Sequence, residues 1–380
     1  MNRNQHILII LLVRVLTERT SNRNLSPLPL EIKEKKDINW DKIFKLSMRH
    51  EIAGVLFDGI STLPEKQRPQ DEILMQWAAY VYSAERNYQM YSKRCSEVWH
   101  LLSSNISSLA LMKGLLLSRH YPRPARRNIG DMDLLLTSSA LPVAIDSLQE
   151  HGAVIDTQSD PKHTTAVYKS LNVELHFKSI YFYNTKTEKR FQLLETEQTA
   201  SEALSNEIIE GDLSVKAFPP LFEMIYLTAH IQHHLLLEEI NLRHITDWML
   251  ALKYNRTTLG IMESQLINHL DQLGLTRLWR ALGYISVKYL ALEVDSYAGC
   301  THFDPKEAQR GEFLFRITLS QRIPGCRPYE PRREGESIIK KARLYGELLK
   351  RCFRLRTLIP REAIAAPVGF LVNAYRRRWN

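Results

Sequence analysis

Two aspartates one residue apart, Asp131 and Asp133 in GDMDLLL, have the type and spacing to do chemistry. Side chains alternate across a strand, so both carboxylates would face one way while Met132 and Leu134 face the other. Carboxylates aimed together repel unless a cation lies between them. Mg2+ suits that position, because it prefers oxygen ligands and keeps waters or substrate phosphates as its others. Such an arrangement can clamp a nucleoside triphosphate for in-line attack. A third acid adds to it. In NVELHF, Glu174, His176 and Lys178 share one strand face while Val173, Leu175 and Phe177 share the other. A carboxylate there could complete a two-metal site or act as general base toward an attacking hydroxyl. The plainer alternatives are a surface turn at the aspartates and a half-exposed strand at Glu174.

The elements that must position these acids follow from apolar periodicity. Residues 5–17 read as a short helix, 20–29 as a Ser/Asn/Pro-rich connector, and 40–60 as helical. Asp71 offers an N-cap for a long amphipathic helix to about Ser103, with Trp77, Val81, Tyr88, Tyr91 and Leu101 among its core positions. Tyr80, Tyr82, Tyr88 and Tyr91 read as packing. The pattern then changes. Strands are expected at 108–112 and 132–137 and, as a hairpin or sheet, at 164–169 and 172–178, with a helical turn at 114–120, a Pro/Arg-rich loop at 121–128 and a helix at 141–152. Beyond Pro219–Pro220 the helical period returns at 221–235, 242–254, 261–292 and 310–320. A linker follows at 325–335, then a basic helix at 337–358, with Pro360 and Pro367 interrupting what comes after.

A strand ending in Lys113–Gly114, a helix opening directly after it, Asp-x-Asp opening a later strand and an acid on another strand resemble the DNA polymerase β-type nucleotidyltransferase superfamily. More narrowly, KG…YP-x-P…R-x-x-GD-x-DLL followed by V-E-L-H resembles the uncharacterised bacterial nucleotidyltransferase family, over Leu111–Phe177. The resemblance implies Asp131 and Asp133 as metal ligands and Glu174 as the third acid. It also implies that Gly114 opens a helix whose amides meet the triphosphate, and that Lys113 and Arg127 face phosphate. The chain departs from the superfamily in having Leu115 after Gly114, where serine is usual, and in its longer interval from Gly114 to Asp131.

A second cluster lies in AHIQHHLLLEEINLRHITDW. His230 and His234 stand four apart and share a helix face, as do Arg243 and Asp247 on the next helix. Zinc held by His230, His234 and Asp247 is one reading, although H-E-x-x-H is absent and no cysteine is near. The weaker family resemblance over His230–Leu252 implies that His230, Arg243 and Asp247 line the cleft wall and bind nucleotide or substrate. A salt bridge beside partly buried histidines is the plain alternative.

The 380 residues carry a net charge of +9. From Lys340 onward eleven Lys and Arg oppose only Glu347 and Glu362, so that segment holds the whole excess. It could meet nucleic acid, an anionic membrane or a protein partner. Four scattered cysteines argue against a disulfide framework. The absence of G-x-G-x-x-G and G-x-x-x-x-G-K-[ST] argues against dinucleotide and P-loop folds. The apolar run Ile7–Val13 is too short to span a membrane, and no other stretch suffices. The expectation is a cytoplasmic α+β protein, a small mixed-sheet nucleotidyltransferase core flanked by helical regions, divided at 1–104, 105–217, 218–325 and 326–380. It would be a Mg2+-dependent enzyme using an NTP such as ATP and an unidentified acceptor. The competing readings are an aminoglycoside-kinase-type phosphotransferase, whose Gly-rich loop and metal-binding Asp-Phe/Tyr-Gly string this sequence lacks, and an inactive helical adaptor with a basic tail.

Overall fold

The computed structural model describes residues 1–17, 38–156, 162–294, 302–327 and 338–379. The expected connector at 20–29 lies outside these residues, as does most of the 325–335 linker. The chain divides into two compact units. The first comprises Met1–Ser179, Glu197–Pro219 and Tyr289–Ala291, and the second Ile180–Thr196, Pro220–Lys288 and Leu292–Asn380.

In the first unit α1 (Arg3–Thr17) precedes α2 (Trp40–Arg49), α3 (Ala53–Ser61) and α4 (Asp71–Ser103). The expected single helical stretch over 40–60 is broken at Glu51, whose φ is 56°. In α4 the apolar residues Trp77, Val81, Tyr88, Tyr91, Cys95, Val98, Trp99 and Leu102 recur at helical spacing and are buried. Asp71 is not its N-cap. That position belongs to Gln70, which makes no side-chain cap, so Asp71 and Glu72 act in the first turn, where negative charge favours the helix dipole.

The sheet follows. Its strands are β1 (Ala110–Leu111), β2 (Asp131–Leu135), β3 (Val154–Ile155), β4 (His163–Tyr168), β5 (Leu171–His176), β6 (Ser205–Ile209) and β7 (Leu213–Ala217). One helical turn, α5 (Leu115–Ser118), separates β1 from β2, and α6 (Leu141–Glu150) separates β2 from β3. The spatial order is β3-β4-β5-β2-β1-β7-β6. At its centre β2 runs parallel to β5 and antiparallel to β1. Met132, Leu134, Val173 and Leu175 share a buried core with Tyr91, Cys95, Val98 and Trp99 of α4. By strand alternation the acids at 131, 133 and 174 turn to the opposite face.

The second unit is helical: α7 (Thr185–Gln198), α8 (Pro220–Leu237), α9 (Leu242–Tyr254), α10 (Arg256–Ile261), α11 (Glu263–Leu273), α12 (Thr276–Tyr289), α13 (Pro305–Ser320), α14 (Ile338–Leu355) and α15 (Pro360–Trp379). Capping boxes open α9 (Asn241 with His244) and α13 (Asp304 with Glu307). Trp248 and Trp279 meet edge to face in its core, with centroids 4.9 Å apart. Pro360 does not interrupt the chain but begins α15, where a missing N–H costs nothing, and Pro367 lies inside that helix. A mixed seven-stranded sheet with helices before and after it is the α+β architecture expected from the sequence.

Candidate active site

Asp133 pairs with Glu174 across the parallel β2–β5 ladder, and Asp131 with Asn172, so three acids stand on one sheet face. One carboxylate oxygen from each of Asp131, Asp133 and Glu174 lies within 4.8 Å of the others. Asp133 is buried, while Asp131 and Glu174 are partly exposed. The Lys113 ammonium lies 2.9 Å from Asp133 Oδ1. It arrives there because the antiparallel β1–β2 pairing continues for one more hydrogen bond, from the Met112 N–H to the Asp133 carbonyl.

Two histidines complete the cluster. His176 Nε2 lies 3.2 Å from Asp133 Oδ1 and 3.0 Å from Glu174 Oε2. His163 Nε2 is 3.8 Å from Glu174 Oε1, and the two imidazole centroids are 4.8 Å apart. In the sequence His176 stands only as a polar-face neighbour of Glu174, and His163 falls just before the expected strand at 164–169. Both follow from the β4–β5 hairpin, whose register sets His163 against His176.

These contacts divide the acids electrostatically. Burial, then the adjacent Asp133 charge, pushes the Asp131 carboxyl above its usual range. Burial works the same way on Asp133, but the Lys113 charge and the His176 hydrogen bond outweigh it and hold that carboxyl below the usual range. At Glu174 burial is again opposed, here mainly by the His176 hydrogen bond, and the net direction is down. His176 would be lowered by burial, yet its bonds to Asp133 and Glu174 raise it. Asp133 therefore has Lys113 and His176 as partners and Glu174 has His176, whereas at Asp131 burial and the Asp133 charge outweigh the Lys113 charge. Three carboxylates with one only partly compensated fit a hard divalent cation better than a soft one.

The glycine turn is equally defined. Gly114 has φ +65° and opens α5, and a Cβ there would meet the Tyr91 hydroxyl at 3.0 Å. That hydroxyl donates to the Asp131 carbonyl, a role that the packing interpretation of Tyr91 did not anticipate. Arg127 is buried, and its Nη1 donates to the carbonyls of Gly114 (3.2 Å) and Asn128 (3.3 Å), so it braces this turn. In the preceding loop Arg123 and Arg126 approach Asp58, and Arg126 also approaches Glu85.

In the second unit His230 and His234 turn their Nε2 atoms to 3.1 Å from each other, and His244 joins them, its ring centroid 4.4 Å from that of His234. These three could hold a metal. However, His244 Nδ1 accepts the Asn241 N–H in the α9 capping box, which fixes its tautomer against ligation through Nε2. Asp247 is buried and Arg243 partly buried. The nucleotide contacts expected of His230, Arg243 and Asp247 rest on the sequence alone.

A mixed sheet gathering three carboxylates opposite its helical core, with a lysine and a glycine turn beside them, defines an α+β protein with an acidic centre. Its family is set by comparison: residues 36–291 match the model described as uncharacterised nucleotidyltransferase, and the chain belongs to that family. No curated protein gives a significant match.

Proposed function

We propose that this nucleotidyltransferase moves a nucleoside monophosphate from an NTP, ATP being one candidate, to the oxygen of an acceptor. The observation that carries the proposal is the convergence of Asp131, Asp133 and Glu174 within 4.8 Å. These residues would hold Mg2+, which when bound supplies charge neutralisation at the phosphate oxygens. Lys113, partly exposed beside Asp133, is the cation best placed to follow phosphate charge. Tyr91 and Arg127 would hold the Gly114 turn and the Asp131 backbone in fixed relation, so that the acids need no rearrangement as charge develops. The acceptor oxygen would form its bond to the α-phosphorus while the bond to pyrophosphate breaks. Four cysteines far apart in the sequence fit the reducing, cytoplasmic setting that belongs to this reading.

The test is incubation of the full chain with each α-labelled NTP, Mg2+ and a cell extract. A labelled product that disappears in Asp131→Asn supports the reading. Loss of labelling in neither Asp131→Asn nor Asp133→Asn would remove it and leave a protein that works by binding alone.

A further inference from the structure

The ten residues 363–372 of α15, AIAAPVGFLV, include no polar or charged side chain. A helix segment apolar all round belongs in a core, and one side of this one is there. Ala363 and Ala366 are buried, and a Cβ on Gly369 would meet the Tyr183 ring at 2.6 Å. The other side is open. Ile364 is 75% and Val368 64% exposed, Leu371 and Val372 are exposed too, and their spacing puts all four on one face. The adjacent α14 carries its own outward row of Ile339, Ala342, Leu349 and Phe353. Tyr345 of α14 stacks on Phe370 of α15 with centroids 6.2 Å apart, so the helices lie side by side. Basic side chains border the α14 row: Lys350, Arg354 and Arg356 are exposed, and the Arg356 guanidinium lies 3.8 Å from the Phe353 ring centroid.

We propose that this helical hairpin docks on an anionic lipid surface. A lipid interface satisfies both features at once. Aliphatic and aromatic side chains enter the acyl boundary while Lys and Arg meet headgroup phosphates. Nucleic acid would satisfy the cations but leave Ile364, Val368, Leu371 and Val372 in water. A second copy would bring two segments of charge +9 together, which like-charge repulsion opposes. No helix among the described residues is long and apolar enough to cross a membrane, so the contact is peripheral.

Co-sedimentation of the full chain with vesicles tests this, comparing phosphatidylcholine alone with phosphatidylcholine containing phosphatidylglycerol. Binding to the anionic vesicles alone is expected. A double variant, Ile364→Ser with Val368→Ser, should weaken it roughly a hundredfold. Lys350→Gln with Arg354→Gln should weaken it roughly tenfold. All four positions are exposed, and what is lost is the surface pair of Lys350 with Glu347 (2.9 Å), so thermal melts should shift little. No sedimentation with anionic vesicles, or sedimentation indifferent to the serine pair, overturns the proposal. So does a dimer, seen by sedimentation velocity without vesicles, that the serine pair dissolves. Retention on RNA with no vesicle binding overturns it equally.

Discussion

Asp133 and Glu174 stand directly opposite each other on neighbouring parallel strands, and one imidazole nitrogen, His176 Nε2, reaches both carboxylates. Like charges so close are held together by what lies between and beside them, here His176 and Lys113. Asp131 gains less from that arrangement: burial and the neighbouring Asp133 charge oppose its own charge, and the Lys113 charge offsets them only in part.

The two aspartates should therefore separate function from stability. Both Asp131→Asn and Asp133→Asn are expected to lower Mg2+-dependent labelling by about a hundredfold or more. Asp133→Asn also strips a buried counter-charge from Lys113 and His176, and should cost about 3 kcal/mol of folding stability. Asp131→Asn removes a repulsion and should leave the metal-free melting temperature equal to or above that of the unaltered chain. Added Mg2+ should raise that temperature in the unaltered chain and not in Asp131→Asn. Thermal melts with and without the ion check all three statements, and matching losses of stability in both variants would refute the division.

Gly114 and Tyr91 form a second testable pair. Gly114→Ala places a Cβ 3.0 Å from the Tyr91 hydroxyl at a φ of +65°, so it should cost about 1–2 kcal/mol and reduce labelling. Tyr91→Phe removes the hydroxyl that the new methyl group meets, together with its hydrogen bond to Asp131. In the double variant the steric part should be relieved while the backbone strain remains, so the two losses should sum to less than their separate values. A double-mutant cycle by denaturant unfolding measures this, and strict additivity would show the contact to be without consequence.

The strands carrying Asp131, Asp133 and Glu174 were legible because alternation is local: Met132 and Leu134 beside one pair, Val173 and Leu175 beside the third acid, all on the buried face. Their pairing was not, since parallel registration of β2 with β5 depends on residues some forty positions apart. His163 escaped for a related reason. The two strands read as a hairpin or sheet, but the turn at Lys169 and Ser170, both left-handed with φ of 46° and 66°, lacks the Asn-Gly or Asp-Gly that would have fixed the register. The strands β6 and β7 and the helix α7 also went unseen. In α7 only Thr187, Phe191, Leu194 and Glu195 are buried, too weak an apolar period to stand out. Tyr91 falls on a core-facing helical period, so nothing local distinguishes its hydroxyl from a packing tyrosine's.

Glu362 supplies a pH dependence. It is buried in the second unit and accepts the Tyr183 N–H at 2.7 Å and the Asn184 N–H at 3.0 Å. Burial pushes its carboxyl from 4.5 up to about 7, against those two bonds. At this group the folded chain therefore holds more protons than the unfolded chain between these values, so the contribution of Glu362 to stability is greatest below about 4.5 and falls as pH rises toward 7. The full fall for this group is about 3 kcal/mol. Glu362→Gln should flatten the slope between about pH 5 and pH 8, at the expense of one N–H acceptor. Melting curves at the two ends check it, and an unchanged slope would assign the dependence to other groups.

The imidazoles beside Glu174 predict a sensitivity to softer ions. His163, Glu174 and His176 form a mixed nitrogen and oxygen set whose ligand atoms lie within 4.8 Å of one another, and Glu174 belongs also to the all-carboxylate set. Mg2+ favours oxygen donors, whereas Zn2+ readily takes imidazole nitrogen. One carboxylate cannot serve both groups equally, and drawing His176 toward an ion removes the bond it gives Asp133. Zn2+ should therefore inhibit Mg2+-dependent labelling. His163→Gln removes a nitrogen donor and keeps all three acids, with loss of the 3.8 Å approach to Glu174, so it should preserve most labelling in Mg2+ alone and raise the Zn2+ concentration needed for inhibition roughly tenfold or more. Titration of Zn2+ into the labelling reaction at fixed Mg2+ measures this. Equal inhibition of both proteins would place the Zn2+ site elsewhere, and no inhibition of either would mean that the histidines act only as partners of the carboxylates.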